Sequence, residues 1–243
     1  MQTVIIKQTR KQSYAMRESL RVLKTNISFS GKGVRSILFT SSQPNEGKST
    51  VVVELARSLA DSKKSVLVVD TDMRKSVMLG RLRATVEGGG QIKGLSHYLS
   101  GQTSLDNVIY ASNIRGVFFV FAGHEVPNPT ELLDTQEFGE LISFGTKNFD
   151  YVLVDTPPTG AAIDAAVVGK CVDGAIIVAA QNDTSSRAIV NTRKTLEESG
   201  VRILGGVLNK VKKENTRYGY YYKKYYGDYY GDYYGKKTAK EKK

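Results

Sequence analysis

The sequence predicts an α/β fold with a doubly wound, mostly parallel sheet that has helices on both faces. Two observations lead to this prediction. Short runs of β-branched and other apolar residues recur along the chain, and stretches with helical periodicity separate them. Continuous apolar strands that alternate with amphipathic helices are typical of a parallel sheet that is covered on both sides.

The elements can be assigned in chain order from these patterns. A helix is predicted for 13–29, where apolar residues recur at helical spacing between charged ones. Buried strands are predicted for six later runs: 36–40, 66–70, 117–121, 151–155, 175–180 and 203–208. Helices are predicted between them, at 49–60, 130–144 and 184–199. If the last strand is parallel to the others, the chain leaves it at the carboxyl edge of the sheet, where such folds bind ligands.

Length and composition divide the chain into three parts. Its 243 residues are enough for one sizeable domain plus extensions. We expect a flexible N-terminal arm at 1–12, a folded domain at 13–211 and a disordered basic tail at 212–243, because the tail has almost no aliphatic residues. The tail holds ten basic and four acidic residues, and so it carries more than half of the net charge of +11. Such a tail can attract nucleic acid, anionic lipid or an acidic protein surface, and charge alone does not choose between them.

The expected compartment is the cytoplasm. The lone cysteine, Cys171, excludes an internal disulfide and is typical of a reducing compartment. No apolar run approaches the roughly 18 residues that a membrane helix needs, and the N-terminus lacks a signal-peptide pattern.

The tail is also marked by a cluster of tyrosines. Of the 14 tyrosines in the chain, only four precede the tail. The other ten are the candidate phospho-acceptors: Tyr218, Tyr220, Tyr221, Tyr222, Tyr225, Tyr226, Tyr229, Tyr230, Tyr233 and Tyr234. Repeats of tyrosine, glycine and lysine are also suited to stacking on single-stranded nucleic acid, or to a simple solubilising segment, and both alternatives stay open at this point.

A phosphate-binding loop is predicted between the first strand of this series and the helix after it. Backbone N–H groups at a helix start can cradle phosphates, Lys48 can reach their oxygens, and the Ser49 hydroxyl can bind Mg²⁺. Ser42 occupies the position where the standard loop pattern has its first glycine. The candidate nucleotide-binding residues are Pro44, Asn45, Glu46, Gly47, Lys48, Ser49 and Thr50, among which we interpret Glu46 as a solvated loop residue. The alternative is an ordinary turn that caps a helix.

Three acids follow predicted strands near this loop. Asp70 ends one buried strand, Asp72 lies two residues on, and Asp155 ends another. We expect Ser49, Asp70 and Asp155 to be metal ligands, because a carboxylate after an apolar strand near such a loop commonly holds Mg²⁺. One of Asp70 and Asp72 would accept the proton of an attacking hydroxyl. Taken singly, each acid could equally be a surface turn residue or a helix cap.

Together these motifs resemble those of the bacterial tyrosine kinases of capsule and exopolysaccharide assembly. The stretch 42–50 resembles their Walker A motif, 66–74 their distinctive Walker A′ motif and 152–158 their Walker B motif. Gly123 with 127–133 is similar to a further family segment, and the tail resembles their tyrosine cluster. The resemblance covers nearly the whole chain, and it implies a P-loop NTPase-like fold with ATP and Mg²⁺ as cofactors.

The resemblance further implies an ATP-dependent kinase that phosphorylates its own tail, in trans within a ring, and regulates polysaccharide synthesis and export. Its implied partners are a transmembrane activator of the polysaccharide co-polymerase type, further copies of itself and a cognate tyrosine phosphatase, with no nucleic acid. Membrane contact would occur only through the activator, at the inner face of the membrane.

Two further assignments come from the family alone. Glu18, Arg21 and Lys24 resemble its oligomerisation motif, with lysine where the last arginine is usual, which loses the bidentate fork. Read without the family, Glu18 and Arg21 form a solvated helical pair. Asn209, after the last strand, is expected to line the adenine pocket.

The main alternative is a partitioning or cell-division ATPase of the ParA/MinD kind. Those ATPases carry a signature lysine five residues before the P-loop lysine, and Gln43 occupies that position here. A third possibility is an inactive scaffold that binds nucleotide. Evidence against this possibility is that the chain keeps all four candidate catalytic residues: Lys48, Asp70, Asp72 and Asp155.

Overall fold

The computed structural model describes residues 1–9 and 12–211 of the chain. The tail predicted at 212–243, with its ten tyrosines, lies outside the described residues.

A nine-stranded sheet forms the centre of the described chain. Its strands are β1 (Gln2–Ile5), β2 (Ser36–Ser41), β3 (Val66–Asp70), β4 (Thr85–Val86), β5 (Tyr110–Ser112), β6 (Val117–Val120), β7 (Tyr151–Asp155), β8 (Gly174–Ala180) and β9 (Ile203–Asn209). Their order across the sheet is β4-β1-β5-β6-β3-β7-β2-β8-β9. Six neighbouring strands are parallel to one another, in the order β6, β3, β7, β2, β8 and β9. In contrast, β5 is antiparallel to β6 and β4 is antiparallel to β1.

Helices connect these strands over both faces. They are α1 (Tyr14–Phe29), α2 (Lys48–Ala60), α3 (Met78–Leu82), α4 (Leu95–Leu99), α5 (Pro129–Leu133), α6 (Gln136–Asn148), α7 (Asp164–Gly169) and α8 (Ser186–Glu198), with a 3₁₀ turn at Leu105–Asn107. The predicted doubly wound, mostly parallel α/β fold is confirmed.

The core has two halves, one on each face of the sheet. Val66 and Val68 of β3 pack with residues of α1 and α2, while Leu67 and Val69 pack with residues of α6, α7 and α8. Successive side chains of a strand point to opposite faces, so a central strand must be apolar at every position to serve both halves. This explains why the central strands are continuous apolar runs.

The predicted N-terminal arm is wrong for residues 2–5, which form β1. This strand pairs in parallel with β5 and in antiparallel with β4. Val4 and the following Ile6 are buried at 0 % and 4 % exposure, and the Ile6 N–H donates to Asn113 Oδ1 at 2.9 Å. The folded domain therefore begins with the first residues of the chain and not at residue 13, because these aliphatic side chains add to the core.

The prediction of a single helix at 130–144 is also wrong, because this range contains two helices, α5 and α6. α5 ends at Leu133, and α6 begins only after Thr135, whose backbone is extended. The Thr135 hydroxyl donates to the Leu132 carbonyl at 2.8 Å, which satisfies one of the open carbonyls at the end of α5. The short strands β4 and β5 were not predicted.

Candidate active site

The loop from 42 to 47 joins β2 to α2 at the carboxyl edge of the sheet. Asn45 and Gly47 have left-handed backbones, with φ of 65° and 92°. Gly47 is the N-cap of α2, and no side chain caps the first turn of this helix. The N–H groups at the start of a 13-residue helix are therefore open to an anion, as the sequence predicts.

Glu46 is buried and not a solvated loop residue, which corrects the prediction. Its side chain is 2 % exposed. Oε2 accepts a hydrogen bond from the Gln43 N–H at 2.8 Å, and Oε1 accepts one from the Thr184 hydroxyl. The carboxylate therefore braces the loop from inside and links it to the turn after β8. Pro44 and Asn45 are exposed at the tip of the loop.

Asn209, the last residue of β9, lies against this loop. Its Nδ2 donates to the Glu46 carbonyl at 2.9 Å. A Cβ atom added at Gly47 would lie 2.2 Å from the same Nδ2. The carboxyl end of β9 is thus at the phosphate-binding loop, and contact between Asn209 and an adenine ring stays a prediction.

Asp70 and Asp155 lie side by side at the ends of neighbouring strands. They are paired in register between β3 and β7, and their exposure is 1 % and 3 %. Burial raises the pKa of both carboxyls, and the charge of Asp155 further raises the pKa of Asp70. Ser49 donates a hydrogen bond to Asp155, which opposes the shift in the Asp155 pKa. Asp155 Oδ1 is buried without a hydrogen-bond partner among the described residues.

The two acids of the A′ segment differ in their surroundings. Both oxygens of Asp70 are engaged, because Oδ2 accepts from the Ser76 hydroxyl at 2.5 Å and Oδ1 accepts from the Asp72 N–H at 3.1 Å. Asp72 is half-buried, and its Oδ1 accepts from the Lys75 N–H at 3.0 Å. Asp72 therefore keeps an oxygen available for other contacts.

Lys48 lies among these carboxylates. Its side chain is 9 % exposed, and burial lowers its pKa, while Asp155 and Asp72 act in the opposite direction. The structure thus brings Lys48 together with the predicted acids of both strands. Ser49 and Thr50 are half-buried in the first turn of α2.

Hydroxyl groups that the sequence did not single out support the loop from α8. Thr192 is 3 % exposed, and its Oγ1 lies 2.9 Å from Ser42 Oγ and 2.7 Å from Thr159 Oγ1. Ser76 and Thr184 were missed in the same way. Serine and threonine are common at any surface position, so no signal in a single sequence separates these residues from the rest.

The predicted oligomerisation residues fall into two groups. Glu18 and Arg21 form an exposed pair at 3.3 Å on α1. Lys24 turns instead to α2, where its Nζ donates to the Ser58 carbonyl and to the Ser62 hydroxyl, both at 2.8 Å. Burial lowers the Lys24 pKa. Lys24 thus already has partners within its own chain.

Two kinds of feature are absent from the described ranges, 1–9 and 12–211. No helix there is long and apolar enough to cross a membrane. No group of three or more His, Cys, Asp or Glu side chains there could hold a metal ion by itself.

Comparison with known proteins gives consistent matches. Residues 34–204 match the family model described as AAA domain. The chain is 37 % identical over 211 residues to tyrosine-protein kinase CpsD of Streptococcus agalactiae, covering 87 % of this chain and 90 % of that protein. The kinase domain of the Escherichia coli tyrosine kinase ETK superposes with a TM-score of 0.78 at 30 % identity, covering 86 % of this chain and 87 % of the other.

A more distant likeness concerns the fold alone. The septum site-determining protein MinD of Pyrococcus horikoshii, solved with Mg-ADP, superposes with a TM-score of 0.60 at 22 % identity over 76 % of this chain and 75 % of the other. At that identity the likeness shows a shared architecture, and it does not favour a partitioning activity for this chain.

Proposed function

The chain belongs to the bacterial tyrosine kinases and is a protein-tyrosine kinase, and from that premise we propose that it transfers the terminal phosphoryl group of ATP to the tyrosines of its own tail. One observation carries the proposal: Asp70 and Asp155 lie in register at the edge of the sheet where β9 also ends, and the charges of Asp155 and Asp72 act on Lys48 there. The segment 212–243, with its ten tyrosines, follows β9 in the sequence.

In this proposal the loop and the start of α2 bind the phosphates of ATP. The N–H groups of the first turn and the left-handed Gly47 present donors to the phosphate oxygens, and Lys48 adds a positive charge. Pro44, Asn45 and Thr50 flank these contacts. Asn209 supports the loop by donating a hydrogen bond to the Glu46 carbonyl.

The residues present also fit a magnesium ion. Asp155 has one buried oxygen without a hydrogen-bond partner in the described part of the chain, and the same carboxylate accepts a hydrogen bond from Ser49. Mg²⁺ is commonly held by one or two protein oxygens together with phosphates. We assign Ser49 and Asp155 as its ligands, and Asp70 as the carboxylate next to Asp155 on the neighbouring strand. When bound, the ion neutralises charge on the phosphates during transfer.

We assign Asp72 as the base that accepts the tyrosine proton. The oxygens of Asp70 are both engaged, whereas Asp72 is half-buried and keeps an oxygen available. A phenol has an ordinary pKa of about 10, so it attacks more readily when a nearby carboxylate takes its proton.

Transfer between neighbouring copies is the form that we propose. A flexible segment of about fifteen residues spans roughly 20 Å, so a tail could also reach the site of its own chain. The preference for a neighbour comes from the family, as does a homo-oligomeric ring in which Glu18 and Arg21 contribute to the contacts.

The biological role that we propose is control of capsular or exopolysaccharide synthesis and export. The kinase would act in the cytoplasm, recruited to the inner face of the membrane by a transmembrane activator of the co-polymerase type. A cognate tyrosine phosphatase would reset the tail.

The direct test is incubation of the full chain with Mg-ATP, with and without the cytoplasmic segment of the activator. Phosphotyrosine should form, and it should vanish when the ten tail tyrosines are changed to Phe. Tyr14→Phe is the matched control, because Tyr14 is 72 % exposed but lies outside the tail. Release of inorganic phosphate without any phosphotyrosine would contradict the proposal.

Transfer in trans has its own test. A Lys48→Met chain that keeps its tail is mixed with an active chain that lacks residues 212–243. The tail of the Lys48→Met chain should become labelled, at a rate that rises with the concentration of the active chain. Absence of labelling at every concentration would contradict transfer between copies.

A further inference from the structure

Arg74, at the end of the A′ segment, is fixed by contacts with two other segments. Its Nε lies 3.1 Å from Asp164 Oδ2, and its Nη2 lies 3.2 Å from Asp164 Oδ1. Nη2 also donates to Thr130 Oγ1 at 2.9 Å, and the Thr130 hydroxyl donates to Asp164 Oδ1 at 2.5 Å. These contacts join the A′ segment to the start of α5 and the start of α7.

Stability alone does not account for this group. Asp164 is fully buried at 0 % exposure, and the Arg74 side chain is 40 % exposed. Replacing a buried ion pair by apolar side chains of similar volume is often neutral or stabilising, so such a pair is weak evidence of a role in stability. What this pair adds is a defined geometry, because two guanidinium nitrogens meet the two oxygens of one carboxylate.

The bidentate contact between Arg74 and Asp164 fixes one end of the turn that carries Asp72. On one side of Asp72, the Asp70 carboxylate accepts from the Asp72 N–H and from the Ser76 hydroxyl. On the other side, Arg74 is held by Asp164. Asp72 thus lies between two fixed points, and its own Oδ1 accepts from the Lys75 N–H within the same turn.

The phosphate-binding loop is held by different residues. Its side-chain contacts come from Thr184, Thr192 and Asn209 on the β8, α8 and β9 side of the sheet, and the Gly160 N–H, before α7, donates to the Ser42 carbonyl at 3.2 Å. The hydrogen bonds described above for Arg74, Thr130 and Asp164 do not reach that loop. Nucleotide binding and the placement of Asp72 can therefore be disturbed separately.

We propose that Arg74, Asp164 and Thr130 are positioning residues for phosphoryl transfer, which hold Asp72 where it takes the proton of the acceptor tyrosine. This inference rests on the proposed function, in which Asp72 is the base. It assigns the group an effect on the rate of transfer and not on the affinity for ATP.

The first test is Arg74→Lys, which keeps the positive charge and loses the planar fork. The rate of phosphotyrosine formation at saturating ATP should fall at least about tenfold, while the KM for ATP and the Kd for ADP stay within about twofold of wild type. Arg35→Lys is the matched control, because Arg35 lies just before β2 at the opposite edge of the sheet and donates to the Thr146 carbonyl. Thr130→Ser should keep the rate, and Thr130→Val should lower it.

A double-mutant cycle with Asp72→Asn separates positioning from a general structural effect. If Arg74 acts through Asp72, then Arg74→Lys should cause no further loss of rate once Asp72 has become Asn. Independent, additive losses would overturn the inference, and so would an Arg74→Lys chain that transfers phosphate at the wild-type rate. A loss of rate that merely follows a loss of ATP affinity or of folded protein would overturn it as well.

The proposed function fails by a different result. A wild-type chain that hydrolyses ATP without forming phosphotyrosine would contradict the function. If only the inference fails, the wild-type chain still forms phosphotyrosine, and only the results for the Arg74 and Thr130 variants differ from those expected.

Discussion

The contact between Gly47 and Asn209 allows a sharp prediction about the phosphate-binding loop. Gly47 has a left-handed backbone with φ of 92°, and an alanine Cβ there would lie 2.2 Å from Asn209 Nδ2. A left-handed residue other than glycine costs roughly 1–2 kcal/mol. The Asn209 side chain must also move and give up its hydrogen bond to the Glu46 carbonyl, which costs about 0.5–1.5 kcal/mol.

Gly47→Ala should therefore destabilise the domain by about 1.5–3.5 kcal/mol, taken as the sum of these two costs. In a domain of this size that corresponds to a fall of about 3–14 °C in the melting temperature. Asn209→Ala alone should cost about 0.5–1.5 kcal/mol, because it removes the same hydrogen bond. The double variant should be no less stable than Gly47→Ala, since the hydrogen bond can be lost only once.

The assay is urea unfolding of the four proteins without nucleotide, with ADP affinity measured alongside. Gly139→Ala is the control, because a Cβ at this helical glycine would meet no atom within 4 Å, and the change should be neutral or stabilise by up to about 1 kcal/mol. Full additivity of the Gly47 and Asn209 losses would refute the reasoning, since sites without a shared partner add to within about 0.3–0.5 kcal/mol.

Three further predictions follow from the site and from α1. Burial raises the pKa of Asp70 and Asp155 in the folded state, so protonation of these carboxyls favours the folded state. Without metal, the free energy of unfolding should therefore rise as the pH falls from above the raised pKa values toward the ordinary carboxyl range. Asp70→Asn should flatten this dependence in urea titrations at several pH values, and an unchanged slope would contradict the assignment. Lys24→Met should cost about 1 kcal/mol, because it removes hydrogen bonds to the end of α2, whereas Arg21→Met should cost at most about 0.5 kcal/mol; equal losses in urea unfolding would count against this reading. Ser49→Ala should weaken Mg²⁺-dependent ADP binding and leave metal-free ADP binding nearly unchanged, as measured by calorimetry.

The sequence was most informative where a strand is buried on both faces. Runs such as 66–70 and 151–155 are apolar throughout because each serves both halves of the core, and the structure places them as β3 and β7. The carboxyl edge followed from the parallel arrangement, so the neighbouring positions of Asp70 and Asp155 could be expected. Short strands gave no such signal: β4 has two residues and β5 has three, too few for a periodicity to show.

Side-chain contacts between distant segments could not be predicted. Glu46 is an acid in an exposed-looking loop, and only the fold shows that a backbone N–H and a threonine hydroxyl enclose it. Lys24 matches a family motif in position, yet its contacts with α2 depend on how two helices cross. Local sequence carries no information about either partner, since 138 positions separate Glu46 from Thr184 and 34 separate Lys24 from Ser58.

The order of strands in the sheet has a consequence for synthesis of the protein on the ribosome. β2 lies between β7 and β8, which are made more than 100 residues later, and the loop after β2 is completed by Asn209. Because 163 positions separate Glu46 from Asn209, translation at about 5–20 residues per second takes roughly 8–30 s to go from the loop to its last support. The hydrogen bond between Asn209 and the Glu46 carbonyl therefore forms late, long after the loop that it supports has been translated.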